Sequence, residues 1–251
     1  MKNKTAIVTG AGQGIGFEIC RQLMEAGAIV ILNDIDADLT NQASNRLNQS
    51  GSGKCIAVPG DSSDIKIIEE MISVAVAETG ELNMVTANAG ITLFGNFFEY
   101  PEESFRRVMQ VNLAGSFFLA QQASLQMKKQ PDGGSILLMS SVTGHQAHKD
   151  LAAYGMSKAA LEMLAKNLVI ELSPFKININ TVAPGATLTE RTLSDPGYEK
   201  IWSELTPMGR PARTEDIANT VVFLLSEKAK HITGQSIVID GGWTSISPSP
   251  F

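Results

Sequence analysis

The stretch TGAGQGIG, residues 9–16, follows the aliphatic run TAIV and precedes a segment of helical period. Its four glycines, Gly10, Gly12, Gly14 and Gly16, do not fit the spacing G-x-G-x-x-G, which would need glycine at position 15 or 17, where Ile15 and Phe17 stand. Two readings are open. The loop is a turn that needs positive φ. Alternatively it cradles a phosphate, with glycines letting the backbone approach the ligand and a helix N-terminus offering unpaired N–H groups and partial positive charge. What surrounds the loop bears on the choice.

Outward from the loop, short aliphatic runs recur: AIVIL, KCIAV, LNMVTA, SILLM, KININTV and QSIVI. Near-continuous apolar runs of this length are expected of strands buried on both faces. Between them lie segments of helical period at 17–25, 64–78, 154–172 and 214–225, two of which end at the glycines Gly27 and Gly80. Strand and helix alternate from residue 4 to residue 240 without linker or repeat. The pattern predicts one α/β domain over 1–251, a doubly wound parallel sheet of about seven strands with helices on both faces. In such a sheet the ligand lies beyond the carboxyl ends of the strands. Asp34, eighteen residues after Gly16 and just past the second strand, then stands where a carboxylate accepts from ribose hydroxyls. A turn or N-cap role is the alternative, with Asp36 and Asp38 close by.

The bulk numbers exclude several classes. With 43% hydrophobic and 18% charged residues the chain has ample material for a core. The net charge of −6 and scattered Lys and Arg argue against nucleic acid. Two distant cysteines, Cys20 and Cys55, make neither a metal pattern nor a disulfide framework, which suits a reducing compartment. MKNKTAIVTG enters a strand at once, so the expected location is cytoplasmic. Residues 108–127 run twenty positions without a charge, but five amides make them a soluble helix rather than a membrane span.

Tyr154 and Lys158, in YGMSK, stand four apart on one face at the start of a helix. Thirteen residues upstream of Tyr154, SILLMSS ends a strand in Ser140 and Ser141. Tyrosine alone is a poor base at neutral pH; a neighbouring ammonium favours its phenolate. It could then take the proton from an alcohol as hydride leaves, with a serine hydroxyl holding the substrate oxygen.

These motifs together resemble the short-chain dehydrogenase/reductase family over essentially the whole chain. TGAGQGIG is similar to its T-G-x-x-x-G-x-G loop, and ANAG at 87–90 to its N-N-A-G motif, with Ala87 in place of the first Asn. Asn112 in MQVNLAG, the Ser141, Tyr154, Lys158 set, APGATLT at 183–189 and the closing GQSIVIDGGW follow in the family's order. The resemblance implies that Tyr154 is the acid/base, Ser141 orients the substrate, and Lys158 binds the ribose while favouring the phenolate. It implies that Asn112 holds a water on the proton path and that Ser140 is structural. It implies a cofactor site of Gly10, Gly12, Gln13, Gly14, Ile15, Gly16, Asp34, Asp61, Asn88, Gly90, Tyr154, Lys158, Pro184, Gly185, Thr187 and Thr189. Within it Asp61 meets the adenine amine, or serves as a helix cap, and Thr189 reaches the nicotinamide carboxamide. No metal is expected.

A carboxylate at Asp34, with no Arg or Lys at positions 11–13 or 33–38, favours NAD over NADP. The expected reaction interconverts a secondary alcohol (sugar, polyol or hydroxy acid) and its ketone. Reduction of a 3-oxoacyl thioester with NADPH and a non-catalytic nucleotide sensor are the alternatives. Residues 186–207 should cover the substrate, and His145, His148 and Leu151 should face the same cleft. The uncharged helix and the helix from 154 fit the family's dimer interface, so a homotetramer is expected; the tail TSISPSPF could pack on a neighbour.

Overall fold

The apolar runs become the seven strands of one sheet: β1 (Thr5–Val8), β2 (Ile29–Leu32), β3 (Lys54–Ala57), β4 (Met84–Ala87), β5 (Gly134–Met139), β6 (Ile177–Pro184) and β7 (Ser236–Ile239). The computed structural model describes residues 1–49 and 53–247; the tail beyond Ser247, for which packing on a neighbour was expected, lies outside the described residues. Every pairing is parallel, in the order β3-β2-β1-β4-β5-β6-β7. The chain winds outward from β1 to β3, returns to β4 beside β1, and winds the other way. The switch point, where a doubly wound sheet opens a crevice, therefore lies between the carboxyl ends of β1 and β4.

Strands β1 to β6 alternate between two cores. Ala6, Val8, Val30, Leu32, Met139 and Val182 face one cluster with α1 (Gly14–Glu25), α2 (Ala37–Gln49) and α8 (Thr214–Leu224). Ile7, Ile31, Val85, Ile136, Leu138 and Ile179 face the other, with α3 (Ile65–Thr79), α5 (Ser116–Met127) and α6 (Ala152–Leu172). Burial on both faces is why the strands read as continuous apolar runs. The remaining helices are α4 (Glu102–Val108) and α7 (Tyr198–Leu205).

The uncharged stretch 108–127 differs from a plain helix. Helix α4 runs into α5 through a π-helical segment, Met109–Gly115. Such bulges tend to sit at functional sites, and this one carries Asn112, which is fully buried. Among the described residues no helix is long and apolar enough to cross a membrane.

Candidate active site

The glycine loop leaves β1 and opens α1. Gly10 (φ 60°) and Gly14 (φ 63°) occupy the left-handed region, and a Cβ on Gly16 would stand 2.4 Å from the Gly10 carbonyl oxygen. The turn demands of the first reading are thus real, and they do not displace the second. Helix α1 starts at an extended N-cap, Gln13, without a side-chain cap. The N–H groups of its first turn border a cavity of about 300 Å³ lined by Gly10, Gln13, Gly14, Ile15 and Gly16. A loop that must be glycine and a helix end that no side chain caps are what a diphosphate requires.

The same cavity is lined by Ser141, Tyr154 and Lys158, by Asn88 and Gly90, and by Pro184, Gly185, Thr187 and Thr189. A neighbouring hollow of about 230 Å³ shares Gly10, Gln13, Asn88 and Gly90 with it, and adds Asp34 and Asp61. The two make one trough along the carboxyl edge of the sheet. Asp34 faces the glycine loop directly: its Oδ2 accepts from the Gly12 N–H at 3.0 Å. Asn88 ties the β4 end to the loop by donating to the carbonyls of Thr9 (2.9 Å) and Gly10 (2.8 Å).

Lys158 is 3% exposed. Its Nζ donates to the Met139 carbonyl at 2.7 Å and lies 5.6 Å from the Tyr154 ring centre. Burial lowers its pKa below the ordinary lysine value, against a smaller opposing pull from Tyr154. Gly90 leaves room for that ammonium, since a Cβ there would stand 3.2 Å from Nζ and 3.4 Å from Asn112 Oδ1. The Ser141 Oγ accepts from the Thr143 N–H (3.3 Å) and Oγ1 (3.0 Å), which leaves its own O–H to point at a ligand.

Two of the expected residues also make fixed contacts within the protein. The Asn112 amide is committed to protein: Oδ1 accepts from the Ile91 N–H (2.8 Å), and Nδ2 donates to the Ile91 carbonyl (3.0 Å) and Ser157 Oγ (3.1 Å). Asp61 is engaged by Ser63 and by Arg107. Burial pushes its pKa up, and these donors together outweigh that and hold it below the usual carboxylate value.

His145 and His148 do not line the catalytic cavity; both border a separate one with residues 95–97 and the start of α6. His145 Nε2 turns to Glu162 Oε1 at 2.9 Å, and His148 packs beside Trp243, ring centres 6.0 Å apart. Leu151 borders that second cavity as well. Of the covering segment only Thr187, Thr189, Glu190, Arg191, Thr192 and Tyr198 reach the catalytic cavity. Tyr198 is half-buried, its ring 6.1 Å from that of Trp202, and desolvation raises its pKa. Arg107 escapes a reading of the sequence, since it stands 46 residues from Asp61 and no local pattern links them. Among the described residues no acid, His or Cys cluster could hold a metal.

Comparison with known proteins bears on the family and the fold. A family model described as enoyl-(acyl carrier protein) reductase matches residues 10–244. An L-rhamnose 1-dehydrogenase (NAD(P)(+)) of Azotobacter vinelandii is 33% identical over 246 residues, 96% of each chain. A 7alpha-hydroxysteroid dehydrogenase of Escherichia coli is 33% identical over 247 residues, 96% of this chain and 94% of that one. The crystal structure of a short-chain type dehydrogenase/reductase from Mycobacterium marinum superposes with a TM-score of 0.91 at 32% identity, covering 97% of this chain and 96% of that one. With the trough, the tyrosine–lysine pair and these relatives together, the chain belongs to the short-chain dehydrogenase/reductase family of oxidoreductases.

Proposed function

We propose that the protein interconverts a secondary alcohol and its ketone with NAD(H), using Tyr154 as acid/base. One observation carries the reading: Ser141, Tyr154 and Lys158 border the same cavity as the uncapped glycine-loop end of α1. The first-turn N–H groups from Gly14 to Gly16 would hold the diphosphate, with Gly10, Gly12 and Gln13 shaping the loop. Asp34 would hold the ribose beside Gly12, and Lys158 the ribose nearer Tyr154. Asn88, Gly90, Pro184, Gly185, Thr187 and Thr189 would line the nicotinamide side. The bound nicotinamide supplies a hydride acceptor or donor.

The chain's own residues supply the proton chemistry. Tyr154 takes the alcohol proton at its phenolic oxygen, or returns it in the reverse direction. Ser141 donates its O–H to the substrate oxygen and fixes that oxygen beside Tyr154. Lys158 is buried with its Nζ 5.6 Å from the Tyr154 ring centre, where an ammonium would attract negative charge forming on the phenolic oxygen. Asn112 holds the Ile91 segment and Ser157 around Lys158, and a water on its main-chain side would extend the proton path. The preference for NAD rests on Asp34: its carboxylate, already beside Gly12, would repel a 2′-phosphate. The relatives act on a sugar and a hydroxysteroid, so a ring carbinol is the first substrate class to test.

The test follows nicotinamide absorbance in both directions with NAD(H) and NADP(H). The panel holds L-rhamnose and other sugars, polyols, hydroxy acids, hydroxysteroids and 3-oxoacyl thioesters. Turnover is expected with NAD and a secondary alcohol, falling about 10²–10⁴-fold in Tyr154→Phe. Tight NADH binding without turnover on any member would overturn the catalytic reading, and tighter binding of NADPH than NADH would overturn the cofactor preference.

Assembly belongs to the same reading. Phe105, Phe117 and Met163 stand exposed around an apolar groove between the α4–α5 helix and α6. We infer that this face meets its copy and that the enzyme is a homotetramer, in a reducing, cytoplasmic setting that suits two free buried cysteines.

A further inference from the structure

We propose that Arg107, held by Asp61, reads the edge of the cofactor's purine and makes the protein selective for adenine. The inference rests on the dinucleotide reading above. Going along the trough from the glycine loop past Asp34, the hollow continues to Asp61, Ser62, Arg107 and Val111. With the ribose beside Asp34, the purine has this end of the hollow to occupy. Its walls suit a flat ring. Ala89 and Val111 are apolar, and Ile35 stands beside them 62% exposed, a large aliphatic side chain left to solvent at the mouth of the hollow.

The polar edge is built rather than incidental. Asp61 Oδ1 accepts from the Ser63 N–H (2.9 Å) and Oγ (2.7 Å), which fixes the carboxylate plane. Oδ2 accepts from Arg107 Nη1 at 3.0 Å and, having two lone pairs, can accept once more. The neighbouring Arg106 turns the other way, to Glu102 on the solvent side of α4. Arg107 has spent one of its five N–H donors on Asp61 and has no other hydrogen-bond partner among the described residues.

The pair thus presents an acceptor beside a donor, the complement of adenine, whose 6-amino group donates beside the N1 acceptor. Hypoxanthine inverts that order, with a carbonyl at position 6 and an N1–H. It would set oxygen against carboxylate and N–H against guanidinium.

The experiment measures dissociation constants of NADH, its hypoxanthine analogue (deamino-NADH), reduced nicotinamide mononucleotide and NADPH by fluorescence titration. The proteins are wild type, Arg107→Ala and Arg107→Lys, with melting curves to show that each variant is folded. Wild type is expected to favour NADH over deamino-NADH by about tenfold, the worth of a charge-assisted hydrogen bond at a half-open site. Arg107→Ala should weaken NADH about tenfold, deamino-NADH far less, and the mononucleotide not at all; Arg107→Lys should recover part of the loss.

Equal weakening of NADH and deamino-NADH would overturn edge reading. Weakening of the mononucleotide would show a general disturbance instead. A loss confined to NADPH would make Arg107 a 2′-phosphate ligand and overturn the assignment. Wild type that binds neither dinucleotide would overturn the dinucleotide reading itself, a failure distinct from any of these.

Discussion

Lys158 places its amine where the fold least favours a charge: 3% exposed, with the Met139 carbonyl as its hydrogen-bond partner. Burial lowers its pKa from the ordinary value of 10.5, and the linkage has a definite sign. Below the folded pKa both native and unfolded chains carry the proton, and the native state bears the full cost of the buried charge. Between the folded pKa and 10.5 the unfolded chain binds a proton that the native chain has released, so stability rises with pH there. Lys158→Met removes the group from this balance. Denaturant unfolding of wild type and Lys158→Met across the alkaline range should give a difference that narrows as pH climbs toward 10.5. Turnover of the variant should fall about 100-fold or more at every pH. A pH-independent difference would mean that native and unfolded chains release the Lys158 proton together, with no lowering of its pKa on folding. Tyr154, Lys158 and Ser141 were legible in the sequence because a helix places residues four apart on one face, and a strand end places the serine beside them. Arg107 was not, because its partner Asp61 comes from another crossover and only tertiary packing joins them.

At the scale of elements, one carboxylate joins the end of β5 to α6. Glu162 Oε1 accepts from Ser140 Oγ at 2.6 Å and from His145 Nε2 at 2.9 Å, while Ser140 Oγ also donates to the Lys158 carbonyl at 3.1 Å. Gly144 lies flat on the helix beside it: a Cβ there would stand 3.0 Å from the Ala159 nitrogen and 3.2 Å from Glu162 Oε1. Ser140 is therefore the tether of its neighbour Ser141, and His145 is drawn away from the catalytic cavity by Glu162. That is why the expectation for His145 failed, since sequence shows which loop carries a histidine but not which carboxylate captures it. Glu162→Leu is expected to lower kcat by about 10–100-fold through misplacement of Ser141, with the NADH dissociation constant unchanged. Ser140→Ala should add little to it in the double variant, because both act through one contact. Additive losses, or weakened NADH binding, would place Glu162 outside this tether. The π-helical segment around Asn112 was equally illegible: an uncharged amide-rich run reads as one helix, and the extra residue per turn shows only in the backbone.

For the whole molecule, the parallel topology followed from the run of apolar segments alternating with helical ones, because strands covered on both faces admit few polar residues. The same logic fails for surfaces, where a residue facing solvent and one facing another subunit look alike in sequence. On the described surface Phe105 is 41%, Phe117 39% and Met163 55% exposed. They border a groove floored by Met109, Leu113 and Leu164. Isolated exposed apolar side chains are ordinary, but a contiguous groove of them is costly to leave in water. The groove lies along the α4–α5 helix and α6, so a two-fold axis across it would pack both helices of one copy on the same pair of another, an isologous contact. Such a dimer would bury the groove, and a second axis elsewhere would close the proposed tetramer. Sedimentation equilibrium of wild type should therefore give four chains per particle. Phe117→Glu with Met163→Glu, placing carboxylates on both sides of the contact, should reduce the particle to half that mass or less, since two desolvated charges per subunit oppose the pairing. The melting temperature of wild type should rise with protein concentration, and that dependence should weaken in the double variant. A monomeric wild type would show that the groove stays open to solvent, and the double variant would then sediment as wild type does.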